Sequence, residues 1–192
     1  MTSPPPCSVS FSILPGQSRR ESYSRDTGKW YPAIPTNSGS SCKKVSPGNI
    51  VASAIHTVAT NAKEKGIEII NLTLPELPLV QADADKSTWV LNNFLTNAVK
   101  YSFNNSKIEV KAMQENGCIV FSVKDFGPGI GEEYLGRLFE RYFQVPGSKE
   151  KGTGLGLAIS KEFVEAQKGM IWVESRIGEG SVFKFQLPLE HT

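Results

Sequence analysis

LNNFLTNAVKYS, residues 91–102, is the stretch on which the fold turns. At 100° per residue, Leu91, Phe94, Leu95, Ala98 and Val99 share one side of a helix, and Asn93, Asn97, Lys100 and Tyr101 share another. The first side can anchor the helix on a sheet. The second carries two amides, an ammonium and an aromatic ring. A solvated polar face and a ligand site both account for such a stripe. Asn in mid-helix costs helix propensity that Lys or Glu would not, so the pair of asparagines favours a site.

The flanks extend the pattern. The whole of ADADKSTWVLNNFLTNAVKYS (82–102) reads as one long helix. Upstream, SPGNIVASAIHTVATNAKEKG (46–66) places Ile50, Ala54, Ile55, Val58 and Ala62 at helical spacing. Ser46 before Pro47 marks its start and Gly66 its stop. A β-rich run spans Ile67 to Leu74. Downstream, KIEVKAM (107–113) alternates apolar and charged residues, and CIVFSV (118–123) is almost continuously apolar. Asn116-Gly117 between them predicts a hairpin. A further helix is expected over 154 to about 167, and MIWVES with SVFKFQL forms a second hairpin around Gly178-Glu179-Gly180. The order α-β-α-β-β-α-β-β predicts a two-layer α/β (α+β) sandwich, its sheet mixed and mostly antiparallel, with helices on one face.

Residues 1–46 are dominated by Ser, Pro, Gly and isolated charges without a sustained period, so a disordered tail is expected there and a folded domain over 47–189. The 192 residues suffice for one domain plus such a tail. Hydrophobic residues make up 39% and charged residues 21%, as in ordinary globular proteins. A formal net charge of +2 with scattered lysines argues against a nucleic-acid partner. Cys7, Cys42 and Cys118 form no CxxC and cannot all pair, which favours a reducing compartment. No apolar run approaches the roughly 20 residues of a membrane span, and the first residues lack the features of a secretory signal. A cytoplasmic location without membrane contact by this chain is expected.

Two glycine-rich segments follow the amide helix. In DFGPGI (125–130) an acid ends a strand beside Gly127 and Gly129, which let backbone approach a ligand closely. Asp125 can accept from an amine such as adenine N6, although a plain Gly-Pro turn would read the same way. Asp-Phe-Gly also occurs in serine/threonine kinases, but the other motifs of that fold are missing. In KGTGLGLAIS (151–160), Gly152, Gly154 and Gly156 lead into a helix, where free N–H groups and the helix dipole suit an anion. No strand precedes it, as a dinucleotide fingerprint would require. The polar loop QVPGSKEK (144–151) stands there instead, and a mobile lid over 145–153 is expected.

In this order the elements resemble the histidine-kinase, gyrase and Hsp90 type of ATPase. NNFLTNAVKYS is similar to its N box, DFGPGI to its first glycine box, LFERYFQV (138–145) to its F box and GTGLGLAIS to its second glycine box. The resemblance covers about residues 45 to 189 and points within the family to sensor histidine kinases. It implies the Bergerat-type ATP-binding fold, with ATP and Mg²⁺ as cofactors. It implies that Asn97 ligates Mg²⁺, that Lys100 and Arg141 reach the phosphates, and that Tyr101 flanks the adenine. Asp125 would read the adenine amino group, and Gly127, Gly129 and Ile130 would shape its pocket. Gly152, Thr153, Gly154, Leu155, Gly156 and Leu157 would hold the triphosphate. Asn93 stands where hydrolysing relatives place a Glu one turn before the metal ligand, and an amide is no general base at neutral pH. The F box often carries a second basic residue where this chain has Gln144, which puts a second cationic phosphate contact in doubt.

A histidine kinase phosphorylates a His followed by an acid and, further on, a Pro. This chain has only His56, in HTVAT, and His191 near its end. The expected partner is therefore a separate dimerisation and phosphoacceptor segment, with a response regulator reached indirectly. The rival readings are a non-catalytic ATP-binding regulatory module, an ATP-hydrolysing machine of the gyrase or Hsp90 class, and a serine kinase of the anti-sigma type.

Overall fold

The computed structural model describes residues 42–147 and 152–189. Along the chain run β1 (Lys43–Val45), α1 (Pro47–Glu64), β2 (Glu68–Asn71), β3 (Val80–Ala82), α2 (Ala84–Tyr101) and β4 (Lys107–Glu115). They are followed by β5 (Cys118–Asp125), α3 (Glu132–Leu135), α4 (Gly156–Glu165), β6 (Met170–Arg176) and β7 (Gly180–Pro188). Five strands form one sheet in the order β2-β4-β5-β7-β6. Strand β2 runs parallel to β4, and every other neighbour is antiparallel. This is the mixed, mostly antiparallel sheet expected from the pattern.

The alternation in β4 works as anticipated: Ile108, Val110 and Ala112 are fully buried under the helices. On α2 the apolar stripe of Leu91, Phe94, Leu95, Ala98 and Val99 is buried as a unit. Phe94 sits at the centre of that interface, its ring centroid 5.5 Å from Phe183 and 6.0 Å from Phe185, while Phe185 stacks on Phe121 at 4.7 Å. Truncating such a ring to Ala typically costs about 3–5 kcal/mol, so this cluster fixes how α2 lies on the sheet. Both ends of α2 are tied down. Asp83 Oδ1 accepts from Lys86 N at 3.1 Å at the start. At the end, Lys65 Nζ donates to the carbonyls of Val99 and Lys100, each at 3.0 Å, placing a cation at the negative pole of the helix.

The Asn116-Gly117 turn has positive φ at both residues (46° and 78°), the geometry that matches the twist of the flanking strands. The helix expected from 154 to about 167 runs from Gly156 to Glu165.

Three elements depart from the sequence reading. Strand β3, one-turn helix α3 and strand β1 were not anticipated. Lys43–Val45 belong to the stretch assigned to the tail, yet they pair antiparallel with Val80–Ala82. The folded unit therefore begins before Ser46. Residues 1–41 of the expected disordered tail, residues 148–151 of the mobile lid expected over 145–153, and His191 lie outside the described residues.

Candidate functional site

The polar stripe of α2 meets the start of α4. Asn93 Nδ2 donates to Ser160 Oγ at 3.0 Å, and Ser160 Oγ donates to the Gly156 carbonyl at 2.9 Å. A Cβ at Gly156 would collide with the Asn93 carboxamide, so a larger residue here would displace that side chain from its present position. One turn on, Asn97 is half-buried, and its carboxamide has no hydrogen-bond partner among the described residues. Lys100 Nζ lies 5.1 Å from the Tyr101 ring centroid and 3.4 Å from where a Gly152 Cβ would stand. The ring of Tyr101 is on the rim, 40% exposed. The candidate cleft is thus the space between the Asn93, Asn97 and Lys100 stripe of α2 and the Gly152 to Gly156 segment.

A buried carboxylate flanks it. Asp125 ends β5, and its Oδ1 accepts from Gly127 N at 2.9 Å and from Ser181 N at 3.3 Å. Burial pushes its carboxyl above the ordinary Asp range, and the two backbone donors offset only part of that rise. Gly127 backs onto the Tyr101 carbonyl, 2.7 Å from where its Cβ would be, which brings the Asp125 turn against the end of α2. Gly129 has φ 73° and lies against the backbone of Arg176 and Ile177, a place no side chain fits. Ile130 is anchored through its N–H to Ser175 Oγ at 2.8 Å, and its side chain packs on the core.

One end of the candidate cleft is the start of α4. Leu155 supplies no side-chain cap and the first turn carries no acid, so the helix N–H groups and its positive pole are left for an anion. Gly154, at φ 68°, lies against the Tyr142 backbone, and Tyr142 N donates to the Gly154 carbonyl at 2.9 Å. Thr153 Oγ1 accepts from Leu155 N at 3.4 Å. The Leu157 side chain packs against the core, so this residue faces the cleft with backbone alone. Gln144, whose neutral amide replaces a second base, donates to the Gly152 carbonyl at 2.7 Å and so ties down the glycine segment.

Arg141 stands apart from the other site residues. Its Nη2 lies 2.6 Å from Glu162 Oε1 on the outer side of α4, and the side chain is 63% exposed. That hydrogen bond raises the guanidinium pKa, which holds the charge in place on the α4 surface. Reaching the cleft would require the pair to open. Sequence reasoning missed three contributors. Ser181 acts through its backbone N–H and Lys65 through an ammonium placed on the last carbonyls of α2, and neither leaves a local pattern. Ser160 leaves one trace, a lone hydroxyl on a helix face otherwise buried through Ala158 and Val164.

An α/β sandwich of this topology is the architecture of a histidine-kinase catalytic domain. The solved structures agree. The catalytic domain of histidine kinase ThkA, in a nucleotide-free form, superposes with a TM-score of 0.69 at 28% identity, covering 77% of this chain and 95% of that one. Full-length ShkA in complex with AMPPNP gives 0.72 at 31% identity, covering 80% and 32%. The family described as histidine kinase-, DNA gyrase B-, and HSP90-like ATPase matches residues 82–191. The sensor histidine kinase WalK of Bacillus subtilis is 39% identical over 132 residues, 66% of this chain and 21% of its own. The phytochrome-like protein Cph1 of Synechocystis is 34% identical over 142 residues, 73% and 19% respectively. The chain belongs to the histidine kinase-, DNA gyrase B- and HSP90-like ATPase family, and spans about a fifth of the length of these curated relatives. No helix among the described residues is long and apolar enough to cross a membrane.

Proposed function

We propose that this chain binds Mg-ATP and donates the γ-phosphoryl group to a histidine on a separate dimerisation and phosphoacceptor segment, as the cytoplasmic catalytic part of a two-component sensor kinase. The observation that carries the reading is Asn93. An amide engaged with Ser160 occupies the position one turn before Asn97, where a hydrolase needs a carboxylate to activate water. ATP held without a water-activating base keeps its γ-phosphoryl for another nucleophile. The transfer breaks the bond from the γ-phosphorus to the β–γ bridging oxygen and forms a P–N bond. ADP leaves, and the imidazole gives up a proton.

The residues fit the group. Asn97 offers an uncommitted amide oxygen of the hard type Mg²⁺ accepts, and the bound metal would neutralise phosphate charge. Lys100 stands over Gly152, where phosphate oxygens would meet its ammonium. Gly152 to Leu157 would hold the triphosphate on backbone N–H groups, with Arg141 joining from outside once released by Glu162. Tyr101 would flank the adenine, Asp125 would accept from its amino group, and Gly127, Gly129 and Ile130 would wall its pocket. The AMPPNP complex of ShkA and the complex of ThkA with the response regulator TrrA support nucleotide and regulator as ligand and downstream partner.

Steady-state hydrolysis by the isolated chain with Mg-ATP is expected to be negligible, and appreciable phosphate release would contradict the reading in favour of a gyrase-like machine. Asp125→Asn is expected to weaken ATP by about 1–3 kcal/mol, the scale of one charged hydrogen bond, and to erode preference for ATP over GTP. The pH dependence has a definite sign. With the Asp125 pKa raised, ATP affinity should fall on acidification before an ordinary Asp would protonate. The raised folded-state pKa also means that this carboxyl contributes stability at low pH and loses it as pH rises through that pKa. In Asp125→Asn both trends should flatten. Unchanged nucleotide selectivity would count against the adenine-reading role.

A further inference from the structure

Ser160 is a buried hydroxyl with no solvent exposure, on the face of α4 turned toward α2. Its oxygen stands 2.9 Å from the Gly156 carbonyl and 3.0 Å from the Asn93 carboxamide. Two oxygens at 2.9 Å need a proton between them, and a carbonyl has none to give. The single Ser160 proton therefore points at Gly156, and toward Asn93 the hydroxyl can only accept. That decides which way the Asn93 carboxamide is turned: its NH₂ must face Ser160. The remaining Oδ1 is left against Gly156, the first residue of α4 and the phosphate end of the cleft.

We propose that Ser160 is a positioning residue that locks the Asn93 carboxamide with its oxygen toward the cleft, so that Asn93 and Asn97 together present acceptors to the hydrated cation on the phosphates. The inference rests on the Mg-ATP reading and deepens it. Were the amide turned over, an NH₂ group would face Mg²⁺ and repel it. An unanchored amide would spend part of its time that way. A hydroxyl four residues into α4 thereby connects the helix that holds the phosphates to the helix that holds the metal.

Calorimetric ATP titrations with and without Mg²⁺, on the parent, Ser160→Ala, Ser160→Thr, Asn93→Ala and the double variant, test this together with NMR of the Asn93 carboxamide in nucleotide-free, metal-free protein. Ser160→Ala should cut the Mg²⁺-dependent gain in ATP affinity by roughly 3- to 10-fold, the effect of one net hydrogen bond, and leave Mg²⁺-free binding unchanged. Ser160→Thr keeps the hydroxyl and should behave like the parent. In the Asn93→Ala background the serine change should cost nothing further. One carboxamide proton of Asn93 should exchange slowly with water in the parent and in Ser160→Thr, and fast in Ser160→Ala. Equal exchange in parent and Ser160→Ala overturns the inference, as does an undiminished loss in the Asn93→Ala background, which would mark Ser160 as packing only. A parent that shows no Mg²⁺-dependent binding sinks the Mg-ATP reading and the cation role with it, while the exchange data still decide whether Ser160 turns the amide.

Discussion

Asn97→Ala is expected to remove the Mg²⁺-dependent part of ATP binding, a loss of at least the 10- to 100-fold or so that follows when residues one layer out from a metal are changed. The size of the effect comes from the make-up of the stripe. Lys100 is a cation, Tyr101 stands on the rim, and Asn93 is engaged with Ser160 through its nitrogen. Within the polar stripe of α2, Asn97 alone carries a carboxamide with both ends uncommitted among the described residues, since Asn92 lies off that stripe. The substitution also brings its own folding control. Asn97 is half-buried, its side chain makes no described hydrogen bond, and Ala is the better helix former, so thermal stability should hold or rise. Isothermal titration with and without Mg²⁺ reads the effect. A gain from Mg²⁺ that is as large in the variant as in the parent would show that Asn97 does not hold the metal.

Much of this architecture was legible because its signals are local. The 3.6-residue period around Phe94 gave α2 and the division between its buried and cleft-facing sides. Alternation over Ile108, Val110 and Ala112, with Asn116-Gly117 after it, gave the central hairpin. Strands β1 and β3 escaped because three-residue strands carry too little periodicity to stand out, and because Lys43–Val45 follow a Ser-rich stretch. What fixes them is each other: Lys43 pairs with Ala82 and Val45 with Val80, a long-range match that no window of sequence displays.

The candidate site divides the same way. Asn93, Asn97, Lys100, Asp125 and the glycines were candidates from residue type and order, and the fold sets Asn93 beside Gly156, Lys100 beside Gly152 and the Asp125 turn against the end of α2. The position of Arg141 was not readable, because its pairing with Glu162 depends on where α4 lies after 20 intervening residues. The second backbone donor to Asp125, Ser181 N, arrives from a strand 56 residues away. Ser160 looked like an ordinary helix residue because its role exists only through the contact with Asn93. The mid-helix asparagines, which weaken the helix, are the local anomaly on which the proposed site rests, since functional sites tend to violate local propensity.

On the proposed function, the γ-phosphoryl leaves this chain for a histidine on a separate segment. Transfer requires an imidazole nitrogen within roughly 3–3.5 Å of the γ-phosphorus. His56 is exposed on α1, a different element from the amide stripe of α2, and Thr57 and Val58 after it supply no carboxylate to orient the ring. The decisive measurement is incubation of γ-labelled ATP with the pure chain, alone and with an added helical hairpin bearing a His-Glu-x-x-x-Pro motif from a cognate kinase. The expected result is no acid-labile, base-stable label on the chain alone and labelled histidine on the hairpin when both are present. Label on His56 of the chain alone, or a hairpin that stays unlabelled while the chain binds Mg-ATP, would contradict it.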